Sequence, residues 1–496
     1  MLDSTLYTYV ATALVAILFY RWRFANFYDI PTIGPSLPIL SYLGAYRFLH
    51  DNRAMIKEGY ERFKGGVFKV AMLDRWLIII SGPDLIEEVR KLPDEQVSFA
   101  EAVDEFFQLR HTFGRDITST HLHVDVIRNQ LTRNISTIFE DFRDEIVAVF
   151  DDLIPATQDK WSSIATLPTM QTMVARVSSR VFVGLPLCRN EEYLQIAVSH
   201  TKAIARIREV LLCFPPVLKP IAGLFLGESK RGNRVAEKFL GPIIQKRMKD
   251  IEMLGEDWVD KPNDMLQWII DAAVSKGLGV REIVLYTMIV NFGAIHTSSN
   301  SLTHALYHLA ANPEYVQPLR EEVDSVIKEE GWTKAAMQKL KKVDSFMRES
   351  LRVNGINGLS LTRKALQSIT LSSGTFIPAG TMLTAASLPT HMDPNNYSDP
   401  TVFNPWRFSE IRGQDGESTR HQFVSTSVEY IPFGHGKHAC PGRFFAANEL
   451  KAIFAHVVMN YDIRFANDGP RPENVWFANT VIPDPTAKVL FRKRSV

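Results

Sequence analysis

Residues 433–442 read FGHGKHACPG. The stretch holds one of only three cysteines in 496 residues, Cys440, beside Gly434, Gly436, Gly442 and the basic residues Lys437 and His438. Glycines let a backbone turn tightly or approach a flat partner closely. An apolar pattern with Phe444, Phe445, Leu450 and Phe454 follows and predicts a helix, whose N-terminus favours negative charge. Neighbouring cations and a helix start both lower a thiol's pKa. A lone cysteine is ordinarily a small core hydrophobe, but a core residue has no need of this setting. A thiolate is the sharper reading, as nucleophile or as metal ligand. The nucleophile reading needs a base and an oxyanion site, and neither can be located in the sequence.

The rest of the composition is that of a large globular chain, with 46% apolar and 22% charged residues. Such a length buries a large core without disulfides. Cys188, Cys213 and Cys440 are odd in number and far apart, with no CxxC spacing, which argues against a disulfide framework or a zinc site. A net charge of +1 argues against a nucleic-acid partner held by phosphate contacts.

Residues 4–20, STLYTYVATALVAILFY, carry no charge and are followed by Arg21-Trp22-Arg23. As a helix they rise roughly 25 Å, just short of a bilayer core of about 30 Å. Trp22, Phe24 and flanking tyrosines extend the run at the interface. The early charge, Asp3, has the wrong sign for a signal peptide. Arginines after the run place the remainder of the chain in the cytosol. A buried N-terminal helix is the plainer alternative. The expectation is an anchor at 1–24, a proline-rich connector at 25–40, and one domain at 41–496.

Within that domain, residues 67–72 and 76–81 predict a hairpin turning at Asp74-Arg75. Long helical patterns run over roughly 121–150, 232–253, 279–311 and 313–330, the last two broken at Asn312-Pro313. Short strands return near 361–386. The expected fold class is therefore mainly α with a small β portion. Residues 209–227, EVLLCFPPVLKPIAGLFLG, are strongly apolar but broken by prolines. They are either core or a surface segment dipping into the bilayer.

Phe433-x-x-Gly436-x-x-x-Cys440-x-Gly442 resembles the haem-binding loop of the cytochrome P-450 haem-thiolate monooxygenases, complete at its four fixed positions. Other motifs fall in that family's order across nearly the whole chain. Glu349 and Arg352, in ESLR, resemble the family's ExxR pair, and Arg407, in FNPWRF, its structural third member. Standing alone, Glu349 and Arg352 would read as a surface i, i+3 pair. His438 stands where the family often has arginine, Arg363 resembles a second partner for haem propionates, and Arg128 resembles the arginine of the WxxxR helix. Val124 replaces the tryptophan of that last motif. In the long helix, Gly293-Ala294-Ile295-His296-Thr297-Ser298 is similar to the oxygen-activating pattern [AG]-G-x-[DE]-T-[TS], with His296 in place of the acid.

The resemblance implies haem b (iron protoporphyrin IX) ligated by Cys440, with Thr297 and His296 handling protons. It implies dioxygen as co-substrate and a membrane-bound NADPH-dependent cytochrome P-450 reductase as partner, since no GxGxxG fingerprint is present. Lys437, Arg443 and Lys451 form either its docking face or an ordinary solvated face. The implied setting is the endoplasmic reticulum membrane, single-pass, with the catalytic domain on the cytosolic face. A lipophilic substrate is expected, and likeness to fungal terpenoid-oxidising members suggests a terpenoid or sterol-like compound. Alternatives are a reductase-independent isomerase, dehydratase or peroxygenase, a non-catalytic haem protein, or a thiol hydrolase using Cys440.

Overall fold

The computed structural model describes residues 29–37, 39–113, 120–212, 214 and 218–495, together with Thr12 and Val15. Apart from those last two residues, the expected anchor at 1–24 lies outside the described residues. Among the described residues no helix is long and apolar enough to cross a membrane.

Most of the domain is helical, with one six-stranded sheet to the side. The sheet begins inside the proline-rich connector. Its prolines forbid helix, and β1 (Thr32–Ile33) instead pairs in parallel with β2 (Val67–Ala71). The expected hairpin is present: β2 and β3 (Trp76–Ile80) pair antiparallel, closed by the bond from Met72 N–H to Arg75 O at 2.8 Å. Their apolar runs VFKVA and WLIII are buried, one face against α1 (Ser41–Arg62) and the other against the short helix Pro83–Lys91. The strand order is β1-β2-β3-β7-β6-β4, with β4 (Val97–Ser98), β6 (Leu359–Ala365) and β7 (Met382–Ala386) completing the sheet. A second sheet joins β5 (Ser162–Ala165) to β8 (Tyr461–Phe465) and β9 (Lys488–Lys493).

β4 leads directly into α2 (Phe99–Phe107), capped by Ser98, whose hydroxyl accepts from Glu101 N–H at 3.1 Å. The helical body contains α3 (Phe139–Leu153), α4 (Thr166–Phe182), α5 (Glu191–Leu212), α6 (Lys219–Phe225) and α7 (Glu228–Leu254). Its axis is α8 (Val280–Ala311), whose 32 residues rise about 48 Å. Apolar and small residues all round α8 bury it on nearly every side, as a helix without a polar face requires. It ends at Asn312 (φ −136°, ψ 77°), where Pro313 disfavours helical geometry in the residue before it. Then come α9 (Val316–Glu330), α10 (Lys341–Val353), α11 (Arg407–Arg412) and α12 (Arg443–Asn460), the last predicted from the residues after Cys440.

One expected helix is broken. Residues 121–150 form Leu122–Val126, a wider turn of π-helix at Ile127–Leu131, and a short Thr132–Asn134 piece before α3. Thr132 Oγ1 donates to Ile127 O, five residues back, at 3.0 Å.

Candidate active site

The loop before α12 is held rigid by its own backbone. Cys440 N–H donates to Phe433 O at 2.7 Å and Ala439 N–H to Gly436 O at 3.0 Å. Gly434 (φ 70°) and Gly436 (φ 74°) adopt left-handed conformations that a side chain resists. A Cβ on Gly436 would also lie 2.4 Å from Arg90 Cγ. Gly442 is different: its φ is −84° and a Cβ there would touch only Ile127, at an ordinary 4.0 Å. The protein itself places no demand for glycine there, which suits a partner lying close above the thiol. The Phe433 ring meets Phe423 edge-on at 5.5 Å.

Cys440 is enclosed by protein atoms yet retains an accessible surface, so its thiol faces an interior opening. The sequence reading expected nearby cations to lower its pKa. The structure corrects this: burial pushes the thiol upward, against the backbone N–H groups of Gly442 and Arg443 and the charge of Arg443. Lys437 and His438 do not serve the sulfur. Both turn to Asp94, Nζ at 3.1 Å and Nε2 at 2.6 Å. A thiol so placed is a poor nucleophile on its own, whereas a bound metal ion deprotonates a coordinating thiol outright.

The remaining basic residues gather at the same loop. Arg128 donates to Lys437 O at 2.6 Å. The His438 ring stacks on Phe99 at 5.4 Å, and the Arg363 guanidinium lies over that same ring at 5.4 Å. Arg363 is 2% exposed, and burial pushes its pKa down to about 10. Its guanidinium donates to Thr362 O at 2.9 Å, and among the described residues it joins no ion pair. A buried cation without a carboxylate is costly. An anionic group of the kind haem propionates supply would offset that cost, so the donor set fits the cofactor. Asp94, Phe99 and Arg90, which shape this end of the site, were not found from the sequence. They lie more than 300 residues from Cys440 and belong to no motif there.

On α8, Thr297 Oγ1 donates to Gly293 O at 2.8 Å and reaches Ala294 O at 3.2 Å. Gly293 is exposed in the middle of an otherwise buried helix, and nothing in the protein lies within 4 Å of a Cβ built on it. This face is thus an opening too. α2 spans the two halves of the site: Phe99 at its start meets His438, and Phe107 at its end meets Phe292 edge-on at 5.2 Å. His296 is brought elsewhere. Its Nε2–H donates to Val198 O on α5 at 3.0 Å, and Nδ1 lies 3.4 Å from Gln171 Nε2 on α4. Burial lowers its pKa, so the ring is neutral near pH 7 and both nitrogens are engaged by neighbouring helices. Sequence spacing placed it beside Thr297 in the chain, but adjacent helix residues project roughly 100° apart.

Glu349, Arg352 and Arg407 meet as a buried triad. Arg352 grips Glu349 with two bonds of 2.8 Å, and Arg407 Nε lies 3.2 Å from both carboxylate oxygens. One expected surface cation is not at the surface. Lys451 is buried and donates to Met337 O at 2.6 Å and Asp344 at 2.9 Å, so it has no place in a docking face.

The fold and this thiol-centred site define a haem-thiolate oxidoreductase. The chain belongs to the cytochrome P450 family, whose sequence pattern it matches over residues 31–491. It is 51% identical to cytochrome P450 monooxygenase 151 of Postia placenta, over 98% of this chain and 97% of that relative. It is 39% identical to cytochrome P450 monooxygenase CYP512U6 of Ganoderma lucidum, over 99% and 97% of the two chains. Among solved structures, retinoic acid bound cyanobacterial CYP120A1 shares the fold, with a TM-score of 0.69 at 19% identity, covering 90% of this chain and 96% of that one. The protein is a cytochrome P450 monooxygenase, and its cofactor is haem b.

Proposed function

We propose that this enzyme hydroxylates, or further oxidises, a lipophilic terpenoid or sterol-like compound, with dioxygen and electrons that an NADPH-dependent reductase delivers. The observation that carries this reading is the pairing of two openings, the accessible Cys440 thiol and the Gly293–Thr297 face of α8, across α2. Bound haem supplies oxygen activation, and a thiolate ligand donates the electron density that favours O–O cleavage. The chain's own residues do the rest. Cys440 would ligate the iron, and Arg363, His438 and Arg128 would hold the propionates. Thr297 Oγ1, oriented by donating its own proton to Gly293 O, would keep its lone pairs free to accept a hydrogen bond at the oxygen side. We assign His296 the role of tying α8 to α4 and α5.

Thr297→Val keeps the shape and removes the hydroxyl. Product formed per NADPH consumed should fall by about 10²-fold, the low end for a positioned proton donor. Substrate binding and the thiolate spectrum should stay as they were. Unchanged coupling would leave Thr297 a packing residue. A second reading, a haem-thiolate isomerase or dehydratase, is favoured by the missing acid at position 296. It predicts product without NADPH or dioxygen, and turnover with each withheld decides between the two.

Substrate reaches the site from a membrane in this reading. Leu224 and Phe225 of α6 are 72% and 84% exposed, and Ile221 lies exposed one turn before Phe225. Together with the uncharged run at 4–20, this supports a setting at the cytosolic face of the endoplasmic reticulum. An environment-sensitive dye attached at Leu224→Cys should shift to the blue when the full chain is reconstituted into phosphatidylcholine vesicles. An unshifted spectrum would remove α6 from the membrane.

A further inference from the structure

Beside the α2 end of the site lies a narrow pocket of about 30 Å³ between α1, the main sheet and α5. Phe48, Leu77, Phe106, Leu212 and Met382 make most of its walls apolar, and its size suits a small head group rather than a whole guest. Thr362 also lines it and is the β6 neighbour of Arg363, so one strand serves both pocket and cofactor loop.

Charges at this pocket are paired, with one exception. Arg75 bonds Asp74 and Glu105, Lys219 lies 3.0 Å from Asp74, and Lys364 lies 2.8 Å from Glu105. Arg208, on α5, makes no such direct pair among the described residues, although the charges of Glu209 and Asp74 act on it from further off. It is 9% exposed, its guanidinium lies 4.1 Å from the centre of the Phe106 ring, and Nε donates to Phe106 O at 2.8 Å. Among the described residues it joins no ion pair, and its two terminal amino groups donate to none of them. Its sequence neighbour Glu209 is exposed. Burial pushes Arg208 down to about 10, which leaves it cationic at neutral pH. The ring and the single carbonyl fix the guanidinium's plane while leaving the fork that binds carboxylates unused.

We propose that Arg208 is the recognition point for a carboxylate on an otherwise apolar substrate, so that the enzyme oxidises lipophilic acids rather than neutral hydrocarbons. This rests on the haem-thiolate reading above and names the substrate class for that same site. The carboxylate anchors at Arg208 while the apolar body lies along Phe106 toward α8. A carbon remote from the acid group is then the one presented for oxidation.

The test uses haem-loaded full-length protein and two matched probe pairs, dehydroabietic acid with its methyl ester and dodecanoic acid with its methyl ester. Binding is read by equilibrium dialysis. In at least one pair the acid should bind about tenfold or more tighter than the ester, the scale of a hydrogen bond to a charged group. Arg208→Gln should abolish the preference and Arg208→Lys should keep part of it. Equal binding of acid and ester, no binding of either acid, or a preference that survives Arg208→Gln overturns the proposal. The wild-type comparison alone suffices should the variants fold poorly. A carbon monoxide difference spectrum of the same sample separates the two readings. A thiolate band without acid preference sinks only the substrate class, whereas a missing band sinks the haem-thiolate assignment itself.

Discussion

Cys440→His should give a folded protein whose reduced, carbon monoxide-bound spectrum lacks the red-shifted Soret band of thiolate ligation, and whose product formation falls to background. The loss follows from how little of the chemistry the protein can do alone. Burial raises the Cys440 thiol against the charge of Arg443, and Lys437 and His438 are spent on Asp94, so the chain alone does not favour a free thiolate for another use. The sulfur acts only as a ligand, and a ligand's effect is electronic. Imidazole keeps the haem in place but withholds the electron density that favours O–O cleavage. The haem carries the difficult step, so no other residue can compensate. The loop tolerates the exchange because its shape depends on other atoms: the Cys440 N–H to Phe433 O bond uses backbone only, and Gly434 and Gly436 set the turn. Circular dichroism and haem content should therefore match the wild type. A thiolate band persisting in this variant would move the ligand elsewhere, and among the described residues the other free cysteine is the buried Cys188.

The residues readable from sequence are those whose physical demand is local. The cysteine loop packs three glycines, a thiol and a helix start into ten positions, so its purpose shows without a partner in view. α8 is legible for a similar reason, since an apolar run of that length has few other solutions. Asp94 and Phe99 are not, because their meaning arises only when β4 and α2 fold back onto the loop. Lys451 and His296 mislead for the opposite reason. Each looks informative in its own stretch, but Lys451 turns inward to Asp344 and His296 turns sideways to α5. The sequence order of a helix does not say which face looks at the cofactor. The break at Ile127–Leu131 escaped the helical pattern because a single widened turn leaves the apolar spacing nearly intact.

Glu349→Gln should cost about 3–5 kcal/mol of stability, the scale for removing one partner of a buried ion pair. That is a large share of the roughly 5–15 kcal/mol that holds a typical domain folded. Glu349 and Arg352 are both 0% exposed and Arg407 is 8% exposed, so the variant leaves two guanidinium groups facing one neutral amide. Their remaining bonds run to backbone carbonyls, His391 O and Pro400 O from Arg352 and Ser398 O from Arg407, each at 2.7 Å. Those carbonyls belong to the segment between β7 and α11, which opens with the short helix Ser387–His391, so the triad holds in place a stretch with little secondary structure of its own. Through it the effect reaches the cofactor. His391, pushed down to about 3 by burial and by the charges of Arg352 and Arg348, is neutral, and its Nε2 accepts from Ile431 N–H at 3.1 Å. Ile431 lies two residues before Phe433, where the cysteine loop begins. Glu349→Gln should therefore lower the denaturation midpoint and the fraction of chains that retain haem together. Arg352→Lys, which keeps the charge but loses the two-pronged grip, should fall between variant and wild type. Arg420→Gln, which breaks the exposed pair with Glu417 at 3.1 Å, should change neither quantity measurably. A Glu349→Gln protein with wild-type stability and full haem would mean the three side chains are co-located without holding the loop, and the route through His391 would fail with it.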